Sequence, residues 1–248
     1  MMLELQNLTV RFGNLVAVNK LNTSVSEGTI HSLIGPNGAG KTTVFNAIYN
    51  LVPYTGDILF SGKSLRGVPT YRLSEMRMTR TFQNLSLFYS MTVEYNIALG
   101  LHTAIKSSIL SDIAGVNVYS RKEVKQRVAR VAELVGLSQL LNAYPAFLPY
   151  GTQKLVELAR ALVNDSKLVL LDEPAAGLNA GEKEQFKEIL LKVKQGGVTI
   201  LLVEHDMGVV MDISDKITVM NFGNRIAEGT PQEISENPDV IEAYLGVN

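Results

Sequence analysis

Short runs of apolar residues alternate along the chain with longer stretches in which apolar residues recur every three or four positions. Four short apolar runs predict buried strands, at residues 30–34, 168–171, 198–203 and 217–220. Helices are predicted at about residues 42–51 and 181–194, the second stopped by Gly196 and Gly197. This rhythm is typical of an α/β chain built on a mainly parallel sheet.

The opening of the chain and a later segment at residues 58–62 follow a different pattern. Residues 3–10 alternate apolar and polar positions, a turn follows, and residues 16–18 and 58–62 resume the strand pattern. Period-two alternation indicates half-exposed strands, which are usual in antiparallel sheets. We therefore expect an antiparallel β edge added to the main sheet.

The middle of the chain, from about residue 70 to 150, has a helical pattern. Residues 121–134 are the clearest case, because Val124, Val128 and Val131 lie on one stripe with basic residues elsewhere. We expect a single domain over residues 1–248. Its core lobe would take about residues 1–84 and 165–248, and a helical insertion lobe about residues 85–164. A tail helix is predicted at about residues 239–245.

Composition excludes several kinds of chemistry. The chain has no cysteine, which excludes disulfides, thiolate catalysis and cysteine-based zinc sites. Its 23 basic and 24 acidic residues give a net charge of −1, without the positive excess expected of a nucleic-acid-binding protein. No signal peptide is evident, and no apolar run reaches the roughly 18–20 residues that span a bilayer. We expect a cytoplasmic protein that meets a membrane only through a partner.

A glycine-rich loop connects the predicted strand at residues 30–34 to the following helix. Residues 35–43 read GPNGAGKTT and fit the phosphate-loop pattern G-x-x-x-x-G-K-[ST]. Glycines let backbone N–H groups approach a polyphosphate, Lys41 would reach its β- and γ-phosphates, and the Thr42 hydroxyl would bind Mg²⁺. The predicted nucleotide-binding residues are Asn37, Gly38, Ala39, Gly40, Lys41, Thr42 and Thr43. The alternative is a glycine-rich turn without a ligand.

Acidic and polar residues follow other predicted strands. Asp172 and Glu173 end the apolar run at residues 168–171, where ligands bind in open α/β sheets. Asp172 suits Mg²⁺ ligation and Glu173 a general base for the attacking water, although the two could also cap a helix. Gln83 could place an amide near the metal and the water. His205 follows the strand at residues 198–203, at the same sheet edge, and is a further catalytic candidate.

Together these motifs resemble one family, the ABC ATPases. Residues 35–43 resemble its Walker A motif, Gln83 its Q-loop, residues 148–152 (LPYGT) its signature, residues 168–173 its Walker B motif, residues 176–179 its D-loop and His205 its switch histidine. The order and spacing agree over essentially the whole chain. The resemblance implies a P-loop NTPase core that binds ATP and Mg²⁺ and hydrolyses ATP.

The resemblance also implies partners. Family members pair head to tail, so that Tyr150 and Gly151 of one subunit would complete the ATP site of the other, in a homodimer or a heterodimer with a paralogous ATPase. Phe12 would stack on adenine; its alternative is an edge-strand position. Residues 85–91 (LSLFYSM) would receive integral membrane permease subunits, and their alternative is helical-lobe core.

A narrower resemblance concerns the transported solute. Residues 80–84, 172–179, 204–207 and 237–246 are similar to the ATP-binding subunits of branched-chain amino acid importers. Urea and amide importers and lipopolysaccharide exporters have closely related ATPases. A soluble ABC-type protein acting on ribosomes or DNA, or a stand-alone P-loop kinase, explains fewer of the motifs.

The signature departs from the family pattern. Pro149 stands where a serine is usual, so one hydroxyl contact to the γ-phosphate should be missing. Thr152 replaces the usual glutamine, Leu155 a common basic residue, and Asn179 the usual aspartate of the D-loop. Because Gly151 and the helix amides remain, we expect a working but weakened contact across the dimer.

Overall fold

A computed structural model of the chain describes residues 1–81, 85–102 and 122–245, and its strands form two sheets. In chain order the strands are β1 (Leu3–Phe12), β2 (Leu15–Val25), β3 (Ile30–Ile34), β4 (Thr55–Phe60), β5 (Lys63–Ser64), β6 (Met78–Arg80), β7 (Leu168–Asp172), β8 (Thr199–Val203), β9 (Lys216–Asn221) and β10 (Asn224–Gly229).

The larger sheet has the strand order β10-β9-β3-β8-β7-β6. Its five strands from β9 to β6 run parallel and β10 is antiparallel. The smaller sheet, β2-β1-β4-β5, is antiparallel throughout. The predicted α/β class, with a mainly parallel sheet and an antiparallel edge, is confirmed.

The helices flank the larger sheet. They are α1 (Lys41–Ile48), α2 (Thr70–Glu75), α3 (Val93–Ala98), α4 (Lys122–Leu134), α5 (Tyr150–Leu162), α6 (Ala180–Gln195), α7 (Met207–Ile213), α8 (Pro231–Ser235) and α9 (Pro238–Leu245). Within the part of the chain that the structure describes, no helix is both long and apolar enough to cross a bilayer.

The apolar core follows the alternation of side chains along the central strands. Val169 and Leu171 of β7 point to one face and pack with α3, α4, α5 and α6. Leu168 and Leu170 point to the other face and pack with α1 and the antiparallel sheet. The helices between residues 85 and 164 therefore share an apolar cluster with the central sheet.

Three predicted boundaries differ from the structure. Helix α1 ends at Ile48, not near residue 51, because Asn50 adopts a left-handed conformation (φ 54°). The Asn50 and Leu51 amides donate to Ala47 and Asn46 carbonyls, which closes the helix end in a Schellman motif. The sequence predicts a helix after the signature at about residues 153–162, and this helix, α5, starts three residues earlier, at Tyr150. A short strand, β6, lies in the segment from residue 70 that was predicted to be helical.

Candidate functional site

The carboxyl ends of β3, β8 and β7 meet at one edge of the large sheet. Leu33 of β3 is in register with Val203 of β8, and Val203 is in register with Asp172 of β7. The glycine-rich loop, His205 and the acidic pair each follow one of these strands directly. Parallel pairing therefore brings the three predicted motifs to the edge where open α/β sheets bind ligands.

The loop after β3 needs glycine at two positions. Gly35 has φ 150°, and a Cβ there would lie 2.1 Å from the carbonyl oxygen of Met220. Gly40 has φ 104°, and its Cβ would lie 2.5 Å from the carbonyl oxygen of Ala17. The loop thus fits closely against β2 and β9, and any side chain at these positions would displace it.

Lys41, the first residue of α1, is buried inside this loop. Its ammonium donates to the carbonyl oxygens of Gly35 at 2.7 Å and of Pro36 at 3.1 Å. Burial lowers the pKa of Lys41, opposed by the nearby carboxylates of Glu173 and Asp172. A cation held between loop carbonyls and two carboxylates lies where it can meet phosphate oxygens.

The other predicted loop residues lie more openly. Asn37, Gly38 and Thr42 are exposed, Gly40 and Thr43 half-buried, and Ala39 is buried, with its carbonyl accepting from the Gly223 amide at 3.0 Å. The exposed part of the loop and the start of α1 offer backbone N–H groups of the kind that bind phosphate oxygens.

The acidic pair occupies two different environments. Asp172 is buried, and its Oδ2 accepts from Arg80 Nη2 at 2.8 Å. Glu173 is half-buried in a left-handed conformation (φ 49°), with its amide donating to the Val203 carbonyl at 2.8 Å. One carboxylate is thus fixed at the sheet edge, while the other turns towards the surface, where a substrate water could reach it.

The oxygen atoms at this sheet edge suit Mg²⁺, which takes oxygen ligands and usually completes its coordination with waters and substrate phosphates. Asp172 and the Thr42 hydroxyl supply one carboxylate and one hydroxyl oxygen. Among the described residues no group of three or more His, Asp or Glu side chains could hold a metal by itself. The donor set fits an ion shared with a polyphosphate.

His205 lies beside the candidate base. Its Nδ1 is 3.7 Å from Glu173 Oε2 and 3.8 Å from Glu204 Oε2. The imidazole is exposed, so it can contact a ligand as well as Glu173.

Glu204 is a site residue that sequence analysis missed. Its carboxylate is fully buried and accepts from the amides of Ala175 at 2.7 Å, His205 at 3.0 Å and Asp206 at 3.4 Å. Burial raises its pKa, and the three N–H donors oppose the shift. In the sequence Glu204 is only an acidic residue next to a histidine, and this pattern does not predict hydrogen bonds to the backbone of two loops.

The predicted signature residues lie apart from the phosphate loop. The Tyr150 ring packs against Gly177, where an added Cβ would lie 3.0 Å from the ring. Gly151 packs against Glu182, and an added Cβ on Gly151 would lie 2.6 Å from Glu182 Oε1. Among the described residues, no hydrogen bond or ion pair joins Tyr150 or Gly151 to the phosphate loop. Pro149 is the N-cap of α5 and makes no side-chain capping bond.

Two further predictions concern Phe12 and Gln83. Phe12 ends β1 opposite Leu15, and its ring is about half exposed. Gln83, predicted to contact metal and water, lies outside the described residues. In the segment after it, Leu87 is buried, whereas Phe88, Tyr89 and Met91 are exposed, so the segment contributes to both core and surface.

The sheet order, the glycine-rich loop with its buried lysine and the acidic end of a neighbouring strand define a P-loop nucleoside triphosphatase. Residues 18–176 match the ABC transporter family, and the chain belongs to that family. It therefore binds nucleotide and is an ABC-type ATP hydrolase. Residues 224–248 match a second family, branched-chain amino acid ATP-binding cassette transporter.

Known proteins resemble the chain along nearly its whole length. It is 41% identical to the high-affinity branched-chain amino acid transport ATP-binding protein BraF of Pseudomonas aeruginosa, covering 98% of this chain and 97% of that one. It is 42% identical to the corresponding LivG of Escherichia coli, covering 99% and 98%. A crystal structure of a nucleotide-free ATP-binding cassette from an ABC transporter is 30% identical, with TM-score 0.87 over 99% of both chains.

Proposed function

We propose that this chain is the ATP-hydrolysing subunit of an importer for branched-chain or other hydrophobic amino acids. The observation that carries the proposal is the sequence identity of more than 40% to BraF and to LivG, over nearly the full length of this chain and of each relative. The match of residues 224–248 supports it independently, because this segment lies outside the general ABC transporter match.

Each side chain at the sheet edge has a part in the proposed reaction. Lys41 and the loop amides bind the phosphates of ATP, and Asp172 with Thr42 holds Mg²⁺. The ion would neutralise charge that develops on the phosphate oxygens. Glu173 accepts a proton from the attacking water, and His205, 3.7 Å away, orients that carboxylate and the γ-phosphate. Gln83 is assigned to the metal and the water from its position in the sequence.

A second ATPase subunit completes this site in the proposal. Tyr150 and Gly151 begin α5, whose N-terminal amides would meet the γ-phosphate of ATP bound to the partner. Phe12 would stack on the adenine. ATP would then hold two subunits together until hydrolysis separates them. The partner is a second copy of this chain or a paralogue.

The subunit reaches the inner face of the cell membrane by binding permease subunits. Phe88, Tyr89 and Met91 support this part, because they place large apolar side chains at the surface beside buried Leu87. The near-neutral charge gives no support to a nucleic-acid partner.

Affinity capture from detergent-solubilised membranes tests the proposal. Tagged Glu173→Gln is used with ATP to hold the closed dimer, and mass spectrometry identifies what stays bound. Amino acid permease subunits are expected, and a second ATPase would distinguish a heterodimer from a homodimer. The double variant Phe88→Ser/Tyr89→Ser is the matched control and should lose permease but keep nucleotide. Permeases for urea, amides or lipids would overturn the proposed solute. Ribosomal or DNA-bound partners without permease would overturn the transport role.

A further inference from the structure

Arg80 connects the acid of the site to the helix that follows the phosphate loop. Its Nη2 donates to Asp172 Oδ2 and its Nη1 to Asn46 Oδ1, both at 2.8 Å. The side chains of Arg80 and Asp172 are only 4% and 7% exposed. Asn46 lies on α1, five residues after Lys41. One guanidinium thus bridges β7 and α1 within hydrogen-bonding distance of both.

The surroundings of Arg80 leave its guanidinium little freedom. Its Cζ lies 5.4 Å from the centroid of the Phe45 ring and 5.8 Å from that of Tyr49. Both aromatic residues are buried. The backbone is also fixed, because Arg80 is in register with Leu170 on β7 and the next amide, of Thr81, donates to the Leu170 carbonyl. Packing and pairing together hold the guanidinium in one place.

This arrangement determines which oxygen of Asp172 faces the site. Oδ2 is bonded to Arg80, whereas Oδ1 has no hydrogen-bond partner within the described parts of the chain. Rotation of the carboxylate would break a charge-assisted bond between two buried groups, which is costly. Oδ1 is therefore the oxygen left for a metal ion or its water.

We propose that Arg80 is a positioning residue for metal binding: it orients Asp172 so that Oδ1 faces the Mg²⁺ of bound ATP, and it fixes that carboxylate relative to α1 through Asn46. The proposal rests on the metal role of Asp172 given under the proposed function. Buried ion pairs often contribute little net stability, so the pair needs a further reason to be present. Precise placement of a metal-binding oxygen supplies one.

Binding of a fluorescent ATP analogue to the full-length protein tests the proposal. Its affinity is measured with saturating Mg²⁺ and with excess EDTA, and the ratio is the metal enhancement. Arg80→Gln should lower this enhancement about tenfold or more, the size expected for one charge-assisted hydrogen bond. The affinity in EDTA should change less than about twofold, because the phosphate loop is intact. In an Asp172→Asn background, Arg80→Gln should lower the enhancement no further.

Other outcomes overturn the proposal in distinguishable ways. Equal losses of affinity with Mg²⁺ and with EDTA, or equal effects in both backgrounds, would make Arg80 a structural residue. If Asp172→Asn keeps the enhancement, the proposed metal role of Asp172 fails and the role of Arg80 fails with it. If Arg80→Gln does not fold, Arg80→Lys retains the charge but cannot bond both partners as the guanidinium does. An unchanged enhancement in Arg80→Lys would then overturn the proposal.

Discussion

At the scale of single residues, Glu173 has a left-handed backbone conformation that residues other than glycine rarely adopt. Its φ of 49° costs on the order of 1 kcal/mol, and the hydrogen bond that its backbone N–H donates to the Val203 carbonyl helps to hold this conformation. The two adjacent carboxylates differ in exposure, because Asp172 is buried and Glu173 is half-buried. The more exposed Glu173 is therefore the one that a substrate water can reach.

Glu173→Gln should keep ATP binding and lose hydrolysis. The amide keeps the size of the side chain but cannot accept the proton of the attacking water, so we expect turnover to fall about 10²- to 10⁴-fold. Lys41→Ala is the contrasting variant and should lose ATP binding, because it removes the ammonium that is proposed to bind the phosphates. Steady-state hydrolysis and equilibrium binding measure both effects. Equal hydrolysis by wild type and Glu173→Gln would show that Glu173 is not the base.

Pro149→Ser should strengthen the proposed contact across the dimer. Proline at the N-cap of α5 offers no side-chain acceptor to the helix and no hydroxyl to a facing γ-phosphate. Serine supplies both, and we expect the apparent affinity for ATP and the turnover to rise by about threefold to tenfold. Pro149→Ala is the matched control, since it removes the ring without adding a hydroxyl. If serine and alanine give the same affinity and turnover, the hydroxyl has no role there.

At the scale of elements, two links join the segments that follow β7 and β8. The Glu204 carboxylate accepts a hydrogen bond from the amide of Ala175 on one segment and another from the amide of His205 on the other segment. Asp206, the N-cap of α7, also pairs with Lys183 of α6. The start of α6 and the loop that carries His205 should therefore move together, so a change at the proposed dimer interface would reach the histidine.

Glu204→Gln should weaken this link. The amide offers one acceptor instead of a carboxylate to three backbone donors, and its own N–H₂ would face another donor. We expect the free energy of unfolding to fall by about 1–3 kcal/mol and turnover to fall while ATP affinity is kept. Lys183→Met, which removes only the outer pair, should cost less than about 1 kcal/mol. Denaturant unfolding and hydrolysis assays check both variants. A Glu204→Gln enzyme that is less stable but turns over normally would limit Glu204 to a structural role.

Elements whose signals are local could be predicted from the sequence. The phosphate loop, the buried strand ending in Asp172 and the amphipathic stripe of α4 each depend on neighbouring residues. Strand β6 could not be predicted from the sequence, because three residues are too few to show a periodic pattern. Only its pairing with β7 identifies it as a strand. Arg80 was missed for the same reason, since its partners are 34 and 92 positions away in the sequence. The position of Tyr150 against Gly177 likewise depends on tertiary packing.

At the scale of the whole molecule, the central sheet carries apolar clusters on both faces and connects all the functional segments. The phosphate loop packs on the face shared with α1 and β1, while α5 packs on the opposite face with β7 and β8. Strands β7 and β8, which lead to Asp172 and to the loop of His205, therefore lie between α5 and α1.

The stability of the molecule should depend on pH through His31, which is buried on β3 beside β9. Its Nε2 lies 2.8 Å from Thr218 Oγ1, and Glu228 and Lys216 are the charged groups that act on it. Burial lowers the pKa of His31 from 6.5 to about 4, with Lys216 contributing and Glu228 opposing. The folded protein therefore keeps this imidazole neutral at pH values where the unfolded chain has protonated it.

The sign of the effect follows from proton binding. Above pH 6.5 neither state protonates His31, so it has no effect; between pH 6.5 and about 4 the unfolded state binds more protons, and stability falls as pH falls. At pH 5 this difference amounts to about 2 kcal/mol. Denaturant unfolding at pH 7.5 and pH 5 should show a loss that is larger by this amount in wild type than in His31→Gln, which cannot titrate. Because carboxylates titrate in both proteins, the difference between their losses isolates the histidine. Parallel losses would mean that His31 is protonated as readily in the folded protein as in the unfolded chain.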